Sequence, residues 1–248
     1  MREGELKRSA VYRAVVIGGV LIAAAIIALY SPWLGLFKLR EIVVEGNNHL
    51  AKEEIVRTSG LCLGCNLLRM PVHRAVEAIS KLPWVREVFI RRVYPHKAEI
   101  IVQERSPIAV ISDPEDENSL LVVGEGGVLV QRVSEGVSAT LVVRGADLTG
   151  SNPGARLTDR GIIAALEHLH RRALTAGPFH LADFSNPSAI MLYTTDELEV
   201  NLGPIDGIQV RIDALAGLLQ TLNQADYRSI DLRFGGEAIL VPRKVVNR

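Results

Sequence analysis

Cys62 and Cys65 come closer to a chemical motif than other residues of this sequence, because they form a Cys-x-x-Cys pair. Such a pair can exchange disulfides, supply half of a zinc site or close a short disulfide in an oxidising compartment. A zinc site needs two more ligands, and His49 and His73 are the nearby candidates. The glycine between the cysteines indicates a turn, whereas a redox pair favours a helix start. We interpret the pair as a structural disulfide or as buried thiols, with a metal or redox role as the alternative.

The other polar clusters do not combine into a catalytic or ligand-binding set. His168 and His170 are two residues apart on a predicted helix, so their side chains diverge, and we interpret residues 167–172 as a solvent-exposed face. The acidic residues 113–117 lack the ligand spacing of a calcium loop and favour solubility. Residues 124–127 lack the Lys-Ser/Thr pair and the helix that follow a phosphate-binding loop. Hydrolase motifs such as Gly-x-Ser-x-Gly are absent from the sequence, which therefore predicts a protein without enzymatic activity or cofactor.

The longest apolar segment of the sequence is 14–30, which contains no charged residue and no proline. A helix over it is about 25 Å long, and six further residues bring it near the roughly 30 Å hydrocarbon core of a bilayer. The sequence therefore predicts a transmembrane helix over residues 14–36. A cleaved signal peptide is the alternative, because residues 23–25 are all alanine, but the apolar run continues beyond them.

Charge is distributed unevenly around this segment. Basic residues precede it in greater number than they follow it: Arg2, Lys7, Arg8 and Arg13, against Lys38 and Arg40. Because positive charge stays on the cytoplasmic side of a span, we expect residues 1–13 to be a cytoplasmic stub and residues 38–248 to lie outside the cytoplasm. The whole chain balances 28 basic against 28 acidic residues, which implies no general attraction to nucleic acid.

The elements predicted after the anchor follow the order strand, helix, helix, strand, strand. Residues 37–46 are rich in β-branched side chains, and residues 51–59 and 71–81 carry apolar residues at helical spacing. On one side of a turn, Val88 and Ile90 point to one face and Glu87, Phe89 and Arg91 to the other. On the other side of the turn, Ala98, Ile100 and Val102 share one face of residues 97–103. This period of two is typical of a half-buried antiparallel hairpin. Two helices on one face of a three-stranded sheet form an α+β unit.

Residues 107–242 are predicted to form a second, β-rich α+β domain of short strands and two helices. The first helix covers residues 157–174, with Thr158 as its N-cap, and the second covers residues 207–222. The final strand is predicted at residues 238–241. Apolar residues mark the second helix: Val210, Ile212, Leu215, Leu218, Leu219 and Leu222.

Short phrases in both regions, in this order after one N-terminal anchor, resemble the FtsQ/DivIB cell-division family and its POTRA domain. The phrases are Phe37 with IVVEGN at 42–47, GCNLL at 64–68, LPWV at 82–85, RRVYP at 91–95, VQERSP at 102–107, EVNLG at 199–203 and IDLRF at 230–234. The resemblance implies a POTRA domain over residues 37–106, a β domain over 107–242 and a short tail over 243–248. The chain departs from the family pattern after Phe234, because Pro242 ends the last strand and six residues follow it.

The resemblance implies a scaffold of the bacterial divisome in the cytoplasmic (inner) membrane at the division septum. Such a scaffold binds other single-span division proteins and helps to control septal cell-wall synthesis. The implied partners are of the FtsB/DivIC and FtsL type, with no nucleic acid and no small-molecule substrate. The alternatives are a POTRA-containing outer-membrane assembly or secretion factor, which needs a β-barrel, and a membrane-tethered envelope enzyme, which needs a catalytic set.

The partner-binding residues are expected in the last strand, because a terminal strand often lies at a sheet edge and can pair with a partner strand. The alternative is that this strand only completes the core. The expected partner-binding residues are Phe234, Ala238, Ile239, Leu240 and Val241.

Overall fold

The computed structural model of this chain describes residues 2–30, 37–112, 119–133, 141–175, 177–234 and 237–243. It begins with helix α1 (Arg2–Tyr30), whose apolar side chains between Val15 and Ile27 are largely exposed. Among the described residues, no helix has the length and apolar character needed to span a membrane. The end of the predicted span at residues 31–36, the acidic residues 113–117 and most of the tail lie outside the described residues.

The chain forms two compact units, residues 1–104 and 105–248. After α1, the first unit contains a three-stranded sheet in the order β1-β3-β2. Strand β1 pairs with β3 in parallel, and β2 pairs with β3 in antiparallel fashion. Its elements are β1 (Glu41–Glu45), α2 (Lys52–Ser59), α3 (Val72–Ile79), β2 (Val85–Val93) and β3 (Lys97–Glu104), with a short 3₁₀ turn at Leu67–Arg69. The predicted order of strand, helix, helix, strand, strand is confirmed.

One face of this sheet forms the core of the first unit. Ala98, Ile100 and Val102 alternate along β3 and are almost completely buried. Ile55 of α2 and Ile79 of α3 are fully buried as well. The apolar residues that alternate along β3 and those at helical spacing on α2 and α3 are therefore buried in the same core.

The second unit contains a sheet whose described strands run in the order β12-β11-β10-β9-β8-β7-β4-β5-β6. The pairs β4–β7, β7–β8 and β10–β11 are parallel. Its elements are β4 (Pro107–Ser112), β5 (Leu120–Gly124), β6 (Val128–Val133), β7 (Val142–Arg144), α4 (Arg160–Arg171), β8 (Phe179–Asp183), β9 (Ile190–Thr194), β10 (Glu199–Gly203), α5 (Ile208–Thr221), β11 (Tyr227–Asp231) and β12 (Ile239–Pro242), with a 3₁₀ turn at Gln224–Asp226.

The two helices of the second unit contribute to one continuous core with the sheet. Leu166 and Leu169 of α4, and Leu215 of α5, are buried in the same cluster as Leu192 and Val200 of the central strands. The predicted β-rich α+β class is confirmed.

Two details of the helix predictions are wrong. Helix α4 is capped by Asp159, whose Oδ1 accepts the N–H groups of Gly161 and Ile162 at 2.6 and 3.2 Å. The hydroxyl of Thr158 instead donates to the carbonyl of Asp147. Both residues are good N-caps, and the tertiary contact decides between them. In α5, Val210 is 73% exposed and does not face the core.

Candidate partner-binding edge

Strand β12 forms one end of the large sheet and pairs with β11 in antiparallel fashion. Its opposite side faces no other described strand, so backbone groups on that side are available to a partner strand. The register pairs are Tyr227 with Pro242, Ser229 with Val241, Ile230 with Leu240 and Asp231 with Ile239. The predicted edge position of the last strand is therefore found in the described residues.

The two faces of β12 differ in exposure. Ala238, just before the strand, and Leu240 are half-buried and pack against the core of the unit. Ile239 and Val241 point to the other face and are 50% and 44% exposed. The strand thus combines an inner row that holds it on the sheet with an outer row of apolar side chains that a partner can cover.

Phe234 lies before β12 and is 56% exposed. The guanidinium of Arg233 lies 5.4 Å from the centre of the Phe234 ring. The same guanidinium donates to both oxygens of Asp231, from Nε to Oδ1 at 3.0 Å and from Nη2 to Oδ2 at 2.6 Å. The Arg233 hydrogen bond lowers the pKa of Asp231, which keeps the carboxylate charged. Phe234 is therefore an exposed aromatic ring beside a bidentate ion pair.

Buried residues hold β11, the strand next to this edge, and Arg211 holds the end of β10, the strand beside it. Ile230 and Leu232 are buried on either side of Asp231. The guanidinium of Arg211, on α5, donates to the carbonyl oxygens of Leu202, Pro204 and Asp206. Arg211 thereby joins α5 to the end of β10, which is the strand beside β11.

Cys62 and Cys65 form a disulfide with a Cα–Cα distance of 5.7 Å. The structural disulfide is therefore the part of the interpretation that the structure shows, and the alternative of buried thiols is wrong, because both residues are exposed. The loop that they close pairs with the segment before β1, because the N–H of Gly64 donates to the carbonyl of Leu39 at 2.7 Å and the N–H of Leu39 donates to the carbonyl of Cys65 at 2.8 Å. In this form the sulfur atoms are bonded to each other and not to a metal.

Comparisons with known proteins identify the proteins that this chain is similar to. A family model described as POTRA domain, FtsQ-type, matches residues 37–105. The cell division protein DivIB of Clostridium botulinum (strain Loch Maree / Type A3) is 25% identical over 247 residues, which cover 96% of this chain and 94% of that protein. Over nearly its whole length, this chain is similar to the FtsQ/DivIB family.

Two further relatives match a shorter part of the chain at higher identity. The cell division protein FtsQ of Syntrophotalea carbinolica is 36% identical over 75 residues, which cover 30% of this chain and 27% of that protein. FtsQ of Geobacter sp. (strain M21) is 34% identical over 101 residues, which cover 41% of this chain and 35% of that protein. The matched part of the chain thus spans about a third or less of the length of these two FtsQ proteins.

The FtsQ/DivIB phrases of the first unit meet around Glu104, a residue that the sequence did not single out. Its Oε1 accepts the N–H groups of Asn48 and Leu50 at 3.0 and 2.9 Å, and Oε2 accepts the N–H of His49 at 2.8 Å. Burial alone raises the pKa of Glu104, but the backbone donors, led by Leu50 and His49, outweigh burial and lower it. The only sequence signal for this contact is that one phrase ends before Asn48 and another contains Glu104.

Among the described residues, neither histidine considered as a zinc ligand joins a metal-binding cluster. The ring of His49 stacks on Trp84 with centroids 4.0 Å apart, and its Nδ1 lies 3.0 Å from the Glu104 carboxylate. His73 is exposed on α3. In the described part of the chain, no group of three or more His, Cys, Asp or Glu side chains is arranged to hold a metal ion.

The interpretation of residues 167–172 as a solvent-exposed face is wrong in part. The Nε2 of His168 lies 2.6 Å from Oδ1 of Asp213 and connects α4 to α5. Glu167 accepts the N–H of Gly126 at 3.0 Å. Arg172 also donates to Asp213, and its hydrogen bond, followed by that of His168, lowers the pKa of this carboxyl group. These residues therefore join elements of the second unit, although Arg171 and Arg172 are exposed.

Proposed function

We propose that this FtsQ/DivIB protein is a scaffold of the bacterial division apparatus that binds single-span division proteins of the FtsB/DivIC and FtsL type. The observation that carries the proposal is the free edge of β12, with Ile239, Val241 and Phe234 exposed along it. Relatives across the comparisons bear the name cell division protein. The proposal involves no enzymatic step.

The proposed mechanism is β-augmentation. A strand of the partner pairs with the outer backbone groups of β12, which satisfies donors and acceptors that otherwise face water. Apolar side chains of that strand cover Ile239 and Val241, and a second apolar contact covers Phe234. Pro242 limits the length of the added pairing, because proline has no backbone N–H to donate.

Anchoring in a membrane would make this edge more effective. We propose that residues 14–36 span the cytoplasmic membrane, with residues 1–13 inside and the POTRA domain (37–106), the β domain (107–242) and the tail (243–248) outside. The uncharged segment 14–30 and the excess of basic residues before it support this topology. Confinement to one membrane raises the effective concentration of partners that share it. Recruitment to the septum then allows the complex to influence septal wall synthesis.

A matched pair of variants of the full-length protein tests the edge. Leu240→Pro removes one backbone N–H from β12, whereas Leu240→Ala shortens the same side chain and keeps the N–H. We expect capture of the purified FtsB–FtsL-type heterodimer to be lost with Leu240→Pro and retained with Leu240→Ala. If the Leu240→Pro protein is folded by circular dichroism and still captures the heterodimer as tightly as the unsubstituted protein, the recruiting edge lies elsewhere.

The cellular role needs a separate test. A fluorescent fusion of the full-length protein should concentrate at midcell in dividing cells and disperse between divisions. A uniform envelope signal throughout the cell cycle would contradict the division role, whatever the binding assay shows.

A further inference from the structure

Three segments of the first unit meet where the chain leaves the proposed anchor. The N–H of Leu67 donates to the carbonyl of Phe37 at 2.7 Å, and the N–H of Arg40 donates to the carbonyl of His96 at 2.8 Å. The rings of Phe37 and Tyr94 meet edge to face with centroids 6.0 Å apart. Residues 37–40, the disulfide loop 62–66 and the turn 94–96 therefore form one end of the unit, here called the anchor-proximal end.

Exposed apolar side chains are concentrated at this end. Among described residues 37–104, the large apolar side chains that are exposed are Leu63 at 65%, Phe89 at 62% and Tyr94 at 55%. Leu63 and Tyr94 belong to the anchor-proximal end, and Phe89 lies within β2. Single exposed apolar residues are common, but here two of them flank the same segment. The disulfide between Cys62 and Cys65 closes the loop that carries Leu63 at its tip.

The charge of the anchor-proximal end is positive. Lys38 and Arg40 are exposed, His96 is exposed beside them, and the three segments contain no acidic residue, while the exposed Glu41 follows Arg40 directly. Tyrosine has an apolar ring with a polar tip and is enriched at membrane–water interfaces. An apolar side chain, an interfacial aromatic ring and two cations at one end of the unit match the chemistry of an anionic lipid headgroup layer.

Chain length places this end close to the bilayer. The proposed span ends at residue 36, and an extended chain covers at most about 3.6 Å per residue. Phe37 to Arg40 thus lie within roughly 15 Å of the end of the span. The disulfide loop and the turn 94–96 are hydrogen bonded to this segment and share its position.

We propose that the anchor-proximal end lies against the outer surface of the bilayer that holds the chain's own anchor. Leu63 and Tyr94 enter the headgroup region, and Lys38 and Arg40 face anionic phospholipid headgroups. This inference rests on the proposed function in one respect, the span over residues 14–36. The contact orients the POTRA domain on the membrane and gives the exposed disulfide loop a function beyond closing a turn.

Photo-crosslinking of the full chain in lipid nanodiscs tests the contact. The photoreactive residue p-benzoylphenylalanine replaces Leu63, Tyr94 or Phe89, and mass spectrometry detects adducts in nanodiscs rich in phosphatidylglycerol. We expect lipid adducts from positions 63 and 94 and none from the matched exposed position 89. Adducts of positions 63 and 94 with a second copy of the chain, or equal lipid adducts from all three positions, would overturn the proposal.

A second measurement tests whether the positive charges of Lys38 and Arg40 contribute to the lipid contact. In phosphatidylglycerol, we expect Lys38→Gln and Arg40→Gln each to weaken the lipid contact roughly five-fold, and neither to change it in phosphatidylcholine. An equal contact in both lipids would overturn the assignment to anionic headgroups. Alkaline extraction separates the two proposals. A chain that is released would refute the anchor, whereas a retained chain without lipid adducts would refute only the surface contact.

Discussion

Glu104 holds His49 twice across 55 residues of sequence: its Oε2 accepts the backbone N–H of His49 at 2.8 Å and lies 3.0 Å from the imidazole Nδ1. The Glu104 side chain is 5% exposed. The last residue of β3 thereby fixes the turn between β1 and α2. Next to this turn, Gly46 has a φ of +82°, and a Cβ on Gly46 would lie 2.1 Å from the carbonyl oxygen of Val102. The backbone there approaches β3 as closely as only glycine allows.

We predict that Glu104→Gln destabilises the first unit by roughly 1–3 kcal/mol, because the amide keeps one acceptor oxygen and places an NH2 group against at least one backbone N–H that then lacks its partner. Trp84 is stacked on His49, so its fluorescence during urea unfolding of the full-length protein reports the effect. Glu87→Gln is the matched control, since Glu87 is exposed on β2. Equal unfolding midpoints for the two variants would show that the Glu104 contacts contribute no net stability.

The lowered pKa of Glu104 also predicts a dependence of stability on pH. A carboxyl group with a folded pKa below its unfolded value of about 4.3 contributes stability above that value and loses it as pH falls through the folded pKa. The unfolding free energy should therefore decrease on acidification below about pH 4.3. This decrease should be smaller in Glu104→Gln than in Glu87→Gln. Identical pH profiles for the two variants would contradict the assignment to Glu104.

Phe234→Ala is expected to weaken binding of the partner heterodimer by about 1–2 kcal/mol, or roughly ten-fold, because it removes an exposed aromatic ring at the proposed interface. Val210→Ala is the control, since Val210 is 73% exposed on α5 of the same unit. Titration of both full-length variants with the heterodimer gives the comparison. A larger loss with Val210→Ala would move the interface to α5.

Replacement of Cys62 and Cys65 by serine should leave septal localisation intact, because the cysteines take no part in the proposed partner contact. The amides of Leu39 and Gly64 should exchange hydrogen faster in the variant, since their hydrogen bonds lie within the loop that the disulfide closes. Loss of bound zinc together with septal localisation would show that the cysteines act as metal ligands.

Local sequence patterns predicted most helices and strands, because the spacing of apolar residues in a segment depends on which face of that segment is buried. Alternation along residues 97–103 identified the buried face of β3, and apolar spacing identified α2, α3 and α5. The edge position of β12 followed from its place after all other predicted strands. These features depend on residues close in sequence, so the sequence alone was sufficient.

Contacts between distant residues could not be predicted in the same way. Glu104 and His49 are far apart in sequence, and the pattern of neither segment indicates which distant residue it contacts. We predicted that His168 is exposed because its helix is polar there, but its Nε2 lies 2.6 Å from Oδ1 of Asp213 on α5. Adjacent caps such as Thr158 and Asp159 differ too little in propensity for the sequence to decide between them.

The parallel pairing of β1 with β3 has a mechanical consequence. The chain enters this ladder at Glu41, opposite Lys97, and leaves the sheet at Glu104, beyond the opposite end of the ladder. Tension between the proposed anchor and the second unit would therefore pull β1 and β3 lengthwise in opposite directions. Such a load shears all five register pairs, from Glu41–Lys97 to Glu45–Ile101, at the same time and does not peel them apart one by one. The first unit is thus built to resist pulling along the line that joins its two chain ends.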